Sequence, residues 1–156
     1  MPICRSFRWF GSFLVLIALH VQANPNQLVI SQNDREHVIP VETLRQQADI
    51  EFTFHDPYQR QEITVRGLAF SEWIRDHFDP VPEKLRIMGW DGYETVFEGW
   101  DDPRWVLVTH ENGRPLGLRE KGPLRLVERD YGDRDPDNLR SFNDWIWMIK
   151  RIEVVP

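Results

Sequence analysis

The chain has 156 residues, 28% charged and 41% hydrophobic, with 19 basic against 25 acidic side chains and a formal net charge of −6. Such an acidic balance disfavours a nucleic-acid binder, because phosphate recognition draws most of its affinity from Lys and Arg. A single cysteine excludes a disulfide framework.

Met1 to Ala23 reads as a secretory signal. Arg5 and Arg8 form a basic start, Trp9 to Leu19 is mostly apolar, and Val21-Gln22-Ala23 puts small residues at the usual cleavage positions. The alternative is a retained N-terminal anchor, but the apolar run falls short of the roughly 20 residues that a membrane span needs. Cleavage removes Cys4, so the mature chain, 24–156, has neither a disulfide nor a thiolate for catalysis or metal binding. It also removes Arg5 and Arg8, leaving 17 basic residues against 25 acidic ones and a charge of −8. What remains is long enough for one domain with a real core.

Leu28-Val29-Ile30 is a short strand, Asn33-Asp34 a turn, and Pro40 opens a helix over Val41 to Gln47, where its fixed φ suits the start. Glu51-Phe52-Thr53-Phe54 alternates as a half-buried strand does. His55-Asp56-Pro57-Tyr58 reads as a polar turn and Ile63-Thr64-Val65 as the returning strand. His55 is either a hydrogen-bonded turn residue or a ligand contact. From Gly67 to Phe78 a loop leads into a helix, with Ser71 as N-cap and Leu68, Phe70, Trp73, Ile74 and Phe78 as one apolar stripe. Asp79-Pro80-Val81-Pro82 stops that helix. Lys84 to Met88 is the next strand.

Met88 to Val127 is the segment on which the rest is organised. Trp105 to Thr109 and Leu124 to Val127 are β-rich, and Glu111-Asn112-Gly113-Arg114 signals a hairpin because Asn-Gly tolerates positive φ at both central positions. The turns around these strands present Trp90, Asp91, Tyr93, Arg119 and Lys121, and binding residues concentrate on such loops. Trp90 and Trp100 are either partly exposed or core. Alternation leaves Arg125 either outward-facing or in a pocket.

Asp133-x-Asp135-x-Asp137, with Asp144 eleven residues after Asp133, has the beginning of a calcium-loop spacing. Asn138 stands where that loop needs glycine, and the last acid is Asp rather than Glu, so an acidic surface loop with a short helix is the better reading. Trp145 to Val155 closes the domain as a strand, with Trp147, Ile149 or Ile152 inside and Trp145 bordering the pocket. The sequence has no G-x-S-x-G elbow, phosphate-binding glycine loop or H-E-x-x-H pair.

Asp91-Gly92-Tyr93, Asn112-Gly113-x-x-Leu116, Lys121-Gly122-Pro123-Leu124-Arg125-Leu126-Val127 and Trp145-x-Trp147 occur in that order. Together they resemble the molybdopterin-binding domain of sulfite-oxidase-type oxidoreductases. The likeness is greater to small, exported, single-domain members of that superfamily, some of which bind free pterins and signal to membrane-bound diguanylate cyclases. It covers about residues 50 to 155. It implies a mixed α/β fold with mixed sheets and a few short helices, and a pterin as ligand. In the family a Thr-Pro-Trp type element stands beside the pterin pocket where this chain has His55-Asp56-Pro57-Tyr58.

A pterin presents an exocyclic amine beside a ring N–H, which one carboxylate can accept together, and a flat face that stacks on aromatic rings. Asp91 offers the carboxylate; Tyr58, Trp90, Tyr93 and Trp145 offer faces; Arg119 and Lys121 offer donors to the ring's acceptors. Catalytic members of the family hold molybdenum through a cysteine thiolate, which the mature chain lacks, so no molybdenum and no oxidoreductase activity are expected. The resemblance therefore implies a noncatalytic periplasmic pterin-binding protein that relays pterin occupancy to an inner-membrane diguanylate cyclase or phosphodiesterase. The alternatives are a molybdopterin-dependent oxidoreductase or its accessory subunit, and an interaction domain without a small ligand.

Overall fold

A computed structural model describes residues 24–155. The segment read as an export signal, with Cys4, lies outside them. Two sheets carry the fold. The first has strand order β2-β1-β11-β5-β6 and combines Gln27–Gln32 (β1), Arg35–Pro40 (β2), Leu85–Gly89 (β5), Glu94–Phe97 (β6) and Ile149–Val154 (β11). β1 runs parallel to β11 and the other pairs are antiparallel, so this sheet is mixed. The second is antiparallel, ordered β10-β9-β7-β4-β3, from Ile50–Asp56 (β3), Gln61–Ala69 (β4), Trp105–Glu111 (β7), Arg125–Glu128 (β9) and Ile146–Trp147 (β10), with Arg114–Pro115 (β8) paired to β7.

Alternation accounts for the outer strands and continuous burial for the central one. In β3 the side chains of Phe54 and Asp56 are buried while Glu51 and Thr53 are exposed, the pattern of a strand with one wet face. In β7 every residue from Trp105 to His110 is buried, because β4 and β9 flank it and other elements cover both faces. Asn112 (φ 49°) and Gly113 (φ 76°) make the turn into β8 as their sequence requires.

Two α-helices close the core among the described residues. Val41–Gln47 (α1) begins directly after Pro40 and buries Val41 and Leu44. Phe70–His77 (α2) buries Phe70, Trp73 and Ile74, and Leu68 and Phe78 are buried beside it, as the apolar stripe predicts. Ser71 does not cap this helix. β4 continues through Gly67 and Leu68, which register with Val108 and Leu107, so Ala69 occupies the cap position and Ser71 is buried in the first turn. The start of the loop predicted from Gly67, as far as Ala69, is therefore strand.

The C-terminal segment also departs from the single strand predicted. Met148 adopts φ 59° and divides it: Ile146–Trp147 pairs with β9 in one sheet, while Ile149–Val154 pairs with β1 and β5 in the other. Met148 ties the sheets together, its N–H donating to the Lys121 carbonyl (3.1 Å) and its carbonyl accepting from Trp90 N–H (2.8 Å). Ile149 and Ile152 are fully buried. Trp147, just before the crossing, is half-buried and available to a pocket.

Candidate functional site

A cavity of about 410 Å³ opens at this junction, lined by Tyr58, Asp91, Tyr93, Asn143, Trp145 and Trp147. Three separate stretches supply these walls. The turn between β5 and β6 brings Asp91 and Tyr93. It is closed by the Gly89 N–H on the Tyr93 carbonyl (2.8 Å), and Asp91 Oδ1 accepts the Tyr93 N–H (3.0 Å). A Cβ at Gly89 would lie 2.5 Å from Asp91 Oδ1 and 3.1 Å from the Trp147 carbonyl oxygen, so no side chain fits there without displacing the carboxylate. The turn after β3 supplies Tyr58. The stretch from the 3-10 turn Leu139–Phe142 into β10 supplies Asn143, Trp145 and Trp147.

Tyr58 joins these pieces. Its hydroxyl donates to the Phe142 carbonyl (2.9 Å), and its ring meets Trp147 edge-on at 4.8 Å between centroids and Trp145 at 6.4 Å. Trp145, only 2% exposed, is further fixed by Phe54 and Phe142 and by its indole N–H on Glu128 (3.2 Å). Tyr93 is the most exposed of these rings, at 45%, and its hydroxyl reaches the Asn143 carbonyl at 3.4 Å. The ammonium of Lys121, which follows the 3-10 turn Leu118–Glu120, rests 4.9 Å from the Tyr58 ring and 4.8 Å from the Trp147 ring. This is cation–π distance. Lys121 has φ 62°, a region that costs a side chain energy and persists only where the surroundings impose it.

Under the aromatic wall lies a buried charge cluster. Asp56 and Arg125, both fully buried, pair at 2.6 Å, and Arg125 also reaches Glu111 at 3.2 Å. Asp56 Oδ1 accepts the N–H groups of Tyr58 (2.8 Å) and Gln59 (3.0 Å), which is what shapes the turn carrying Tyr58. Burial pushes the Asp56 carboxyl up, but the Arg125 charge and hydrogen bond and the backbone N–H of Gln59 outweigh it, so it titrates below the ordinary carboxylate value. Burial, reinforced by Arg125, holds the Lys121 ammonium below its ordinary value. Burial raises the Tyr58 phenol, with Asp144 adding to the shift.

Of the eight residues singled out from the sequence, Tyr58, Asp91, Tyr93 and Trp145 line this cavity, and Lys121 lies against its wall. The other three stand outside it. His55 belongs to β3 and faces Glu62 across the sheet at 3.6 Å, while its carbonyl accepts the Tyr131 hydroxyl. Trp90 is half-buried, with Lys150 Nζ 5.8 Å above its ring. Arg119 is exposed on the short 3-10 turn. Trp147 and Asn143 are cavity residues that sequence reasoning did not place there. Asp56, read as part of a polar turn, is buried at the end of β3 because Arg125, 69 residues away, neutralises it. An arginine inside the apolar run Leu124 to Val127 was the one local signal of that pairing.

A second cavity, about 440 Å³, lies beside α2 and is lined among others by Asp49, Glu72, Trp73, Asp76, His77 and Arg129. The acidic loop near Asp133 is held by hydrogen bonds. Asp135 Oδ1 caps Asp137 N–H (2.9 Å), and Arg134 reaches the Tyr131 and Ser141 carbonyls and Glu128. No group of three His, Cys, Asp or Glu side chains placed to hold a metal occurs among the described residues. The sole cysteine lies outside them, so the described residues do not supply the thiolate that molybdenum takes in sulfite-oxidase-type enzymes.

The two sheets, one mixed and one antiparallel, and the few short helices are those of a sulfite-oxidase-like α/β fold. A solved structure with a similar fold is that of the sulfane dehydrogenase SoxCD from Paracoccus pantotrophus, with a TM-score of 0.56 and 15% identity. The match covers 86% of this chain and 39% of that one, so the chain spans about two fifths of its neighbour's length. No family model matches the chain. No curated protein matches it either.

Proposed function

We propose that the chain is a noncatalytic pterin-binding protein whose ligand stacks in the cavity between Tyr58, Tyr93, Trp145 and Trp147. The observation that carries this reading is the convergence of these four rings with one carboxylate, Asp91. Flat heteroaromatic rings are held by offset or edge contacts with such side chains. The carboxylate accepts the paired N–H donors of an aminopyrimidine edge. The sulfite-oxidase-like fold is consistent with a pterin-type ligand.

The resemblance seen in the sequence extends the proposal. Exported to the periplasm through residues 1–23, the loaded protein would dock on the periplasmic domain of an inner-membrane diguanylate cyclase or phosphodiesterase. Occupancy alters that partner's output only if loaded and empty forms bind it with different affinity. A second reading, a molybdopterin-dependent oxidoreductase or its accessory subunit, is favoured by the dehydrogenase name of the structural neighbour. The missing thiolate argues against it. One preparation separates the two: protein purified from the periplasm is denatured, released pterin fluorescence is recorded, and molybdenum is measured on the same sample. Pterin without metal is the expected result. Stoichiometric molybdenum would replace this reading with the enzyme.

A further inference from the structure

The pair Asp56–Arg125 does more chemistry than a scaffold requires. Replacing a buried ion pair by apolar residues of similar volume is often neutral or stabilising, so such a pair is weak evidence of a need for stability. This one is also incompletely satisfied, because Arg125 Nε is buried without a hydrogen-bond partner. Its polar cost falls close to the aromatic cavity, and its bonds through Asp56 run to the turn that carries Tyr58. Asp56 Oδ2 takes Arg125 Nη2 at 2.6 Å, while Oδ1 takes the N–H groups of Tyr58 and Gln59. Gln59 Nε2 then bridges to Glu111 (3.0 Å), the second carboxylate of Arg125. On the other side Arg125 begins β9, four residues after Lys121, whose ammonium lies on the Tyr58 and Trp147 rings.

We propose that the buried Asp56–Arg125 pair, with Glu111 and Gln59, is the positioning device of the aromatic cavity, locking the Tyr58 turn of the β3–β4 hairpin against the Lys121–Arg125 segment that leads into β9. The pair acts on the ligand only through Tyr58, by a hydrogen bond to its N–H, and through Lys121, along the chain. The inference rests on the pterin reading for its binding test but has a second readout independent of it. A binding wall built from loops needs such support, because a ring displaced by a fraction of an ångström loses its contacts.

The test compares three full-length variants with the wild type. In Asp56→Asn the amide can still accept from Tyr58 N–H, but its NH₂ faces the guanidinium. Asp56→Asn/Arg125→Met removes both fully buried charges, leaves the partly exposed Glu111 on the Gln59 amide, and remains foldable if the single variant is not. Ile74→Val alters the fully buried core of α2, away from the cavity, and controls for plain loss of stability. Titration uses 2-amino-4-oxopteridine and its tetrahydro form, at a temperature where all four proteins are folded. Near-ultraviolet circular dichroism reports the packing of Tyr58 against Trp145 and Trp147.

Both cavity variants are expected to weaken binding by about tenfold, the scale of one lost anchor contact, and to lose the aromatic signal; Ile74→Val should change neither. Wild-type affinity and an unchanged aromatic signal in the double variant would overturn the positioning role and leave the pterin reading standing. If the wild type binds neither pteridine while the aromatic signal still collapses in the double variant, the ligand reading fails and the positioning role stands.

Discussion

The cavity at the sheet junction and the cavity beside α2 are nearly the same size, about 410 and 440 Å³, but differ in what reaches them. The first collects rings from three stretches far apart in sequence, each held by a named bond: Tyr58 on Phe142, Trp145 on Glu128, and Asp91 braced by the Tyr93 N–H. The second also draws on several stretches, but apart from Trp73 and His77 its wall carries no ring of an aromatic side chain, and Asp49, Glu72, Asp76 and Arg129 stand in it. All four are exposed, and such charged side chains are the ordinary solvated groups of a protein surface. Volume alone does not separate the two; the convergence of fixed rings on one carboxylate does.

Removing the support of the first cavity gives the largest expected effect. Asp56→Ala leaves the buried Arg125 guanidinium with Glu111 as its one remaining carboxylate, and breaking a buried pair in this way costs about 3–5 kcal/mol. Urea unfolding should show that loss, and a cost under 1 kcal/mol would mean that water or another group replaces the carboxylate easily. Next in size is Trp147→Ala. Trp147 is half-buried, so the fold should survive, while pterin affinity falls by roughly ten- to a hundredfold as an aromatic stacking face is lost. Trp73→Phe in the other cavity should leave affinity unchanged, and a parallel loss there would erase the distinction between the two sites.

A smaller, pH-dependent effect tests the frame that carries both. Arg66 Nη2 donates to His110 Nε2 (3.1 Å), His110 Nδ1 lies 2.8 Å from Thr109 Oγ1, and the threonine hydroxyl donates to the Arg66 carbonyl (3.2 Å). This ring of bonds closes only with a neutral imidazole protonated on Nδ1. Burial, with Arg66 and then Arg45 adding, lowers the His110 pKa from 6.5, and Glu42 opposes weakly. The unfolded chain therefore takes the proton first. The stability contribution is complete above about pH 6.5 and is lost as pH falls toward the folded value. Melting temperature should drop more steeply below pH 6.5 in the wild type than in His110→Gln, which keeps a neutral acceptor; parallel profiles would remove His110 as the cause. Smallest of all, Glu72→Gln at the second cavity should shift stability by no more than about 0.5 kcal/mol and leave pterin affinity intact.

Local patterns made much of the fold legible. Pro40 marks the start of α1, the spacing of Phe70, Trp73 and Ile74 marks α2, and alternation marks β3. β2 was not legible, because Arg35 to Pro40 is an almost wholly exposed edge strand with no alternation to read. The sheet crossing at Met148 was hidden as well, since a positive φ at methionine has no sequence signature. About half of the site was visible. Asp91, Tyr93, Tyr58, Trp145 and Lys121 stand in turns or motifs that can be recognised one at a time. Trp147 was not, because its apolar neighbours make it look like core, and Asn143 has no local mark. The Asp56–Arg125 pair is a contact across 69 residues, and each member alone resembles something plainer, a turn acid and an arginine that alternation leaves outward-facing or in a pocket.

The most direct test of the central claim is a fluorescence titration of the purified wild type with 2-amino-4-oxopteridine and its tetrahydro form, repeated on Asp91→Ala. Saturable quenching of the cavity tryptophans by at least one pteridine, weakened at least tenfold in Asp91→Ala with the fold intact, is the predicted result. No saturable binding, or equal affinity in both proteins, would contradict recognition of a pterin edge by this carboxylate.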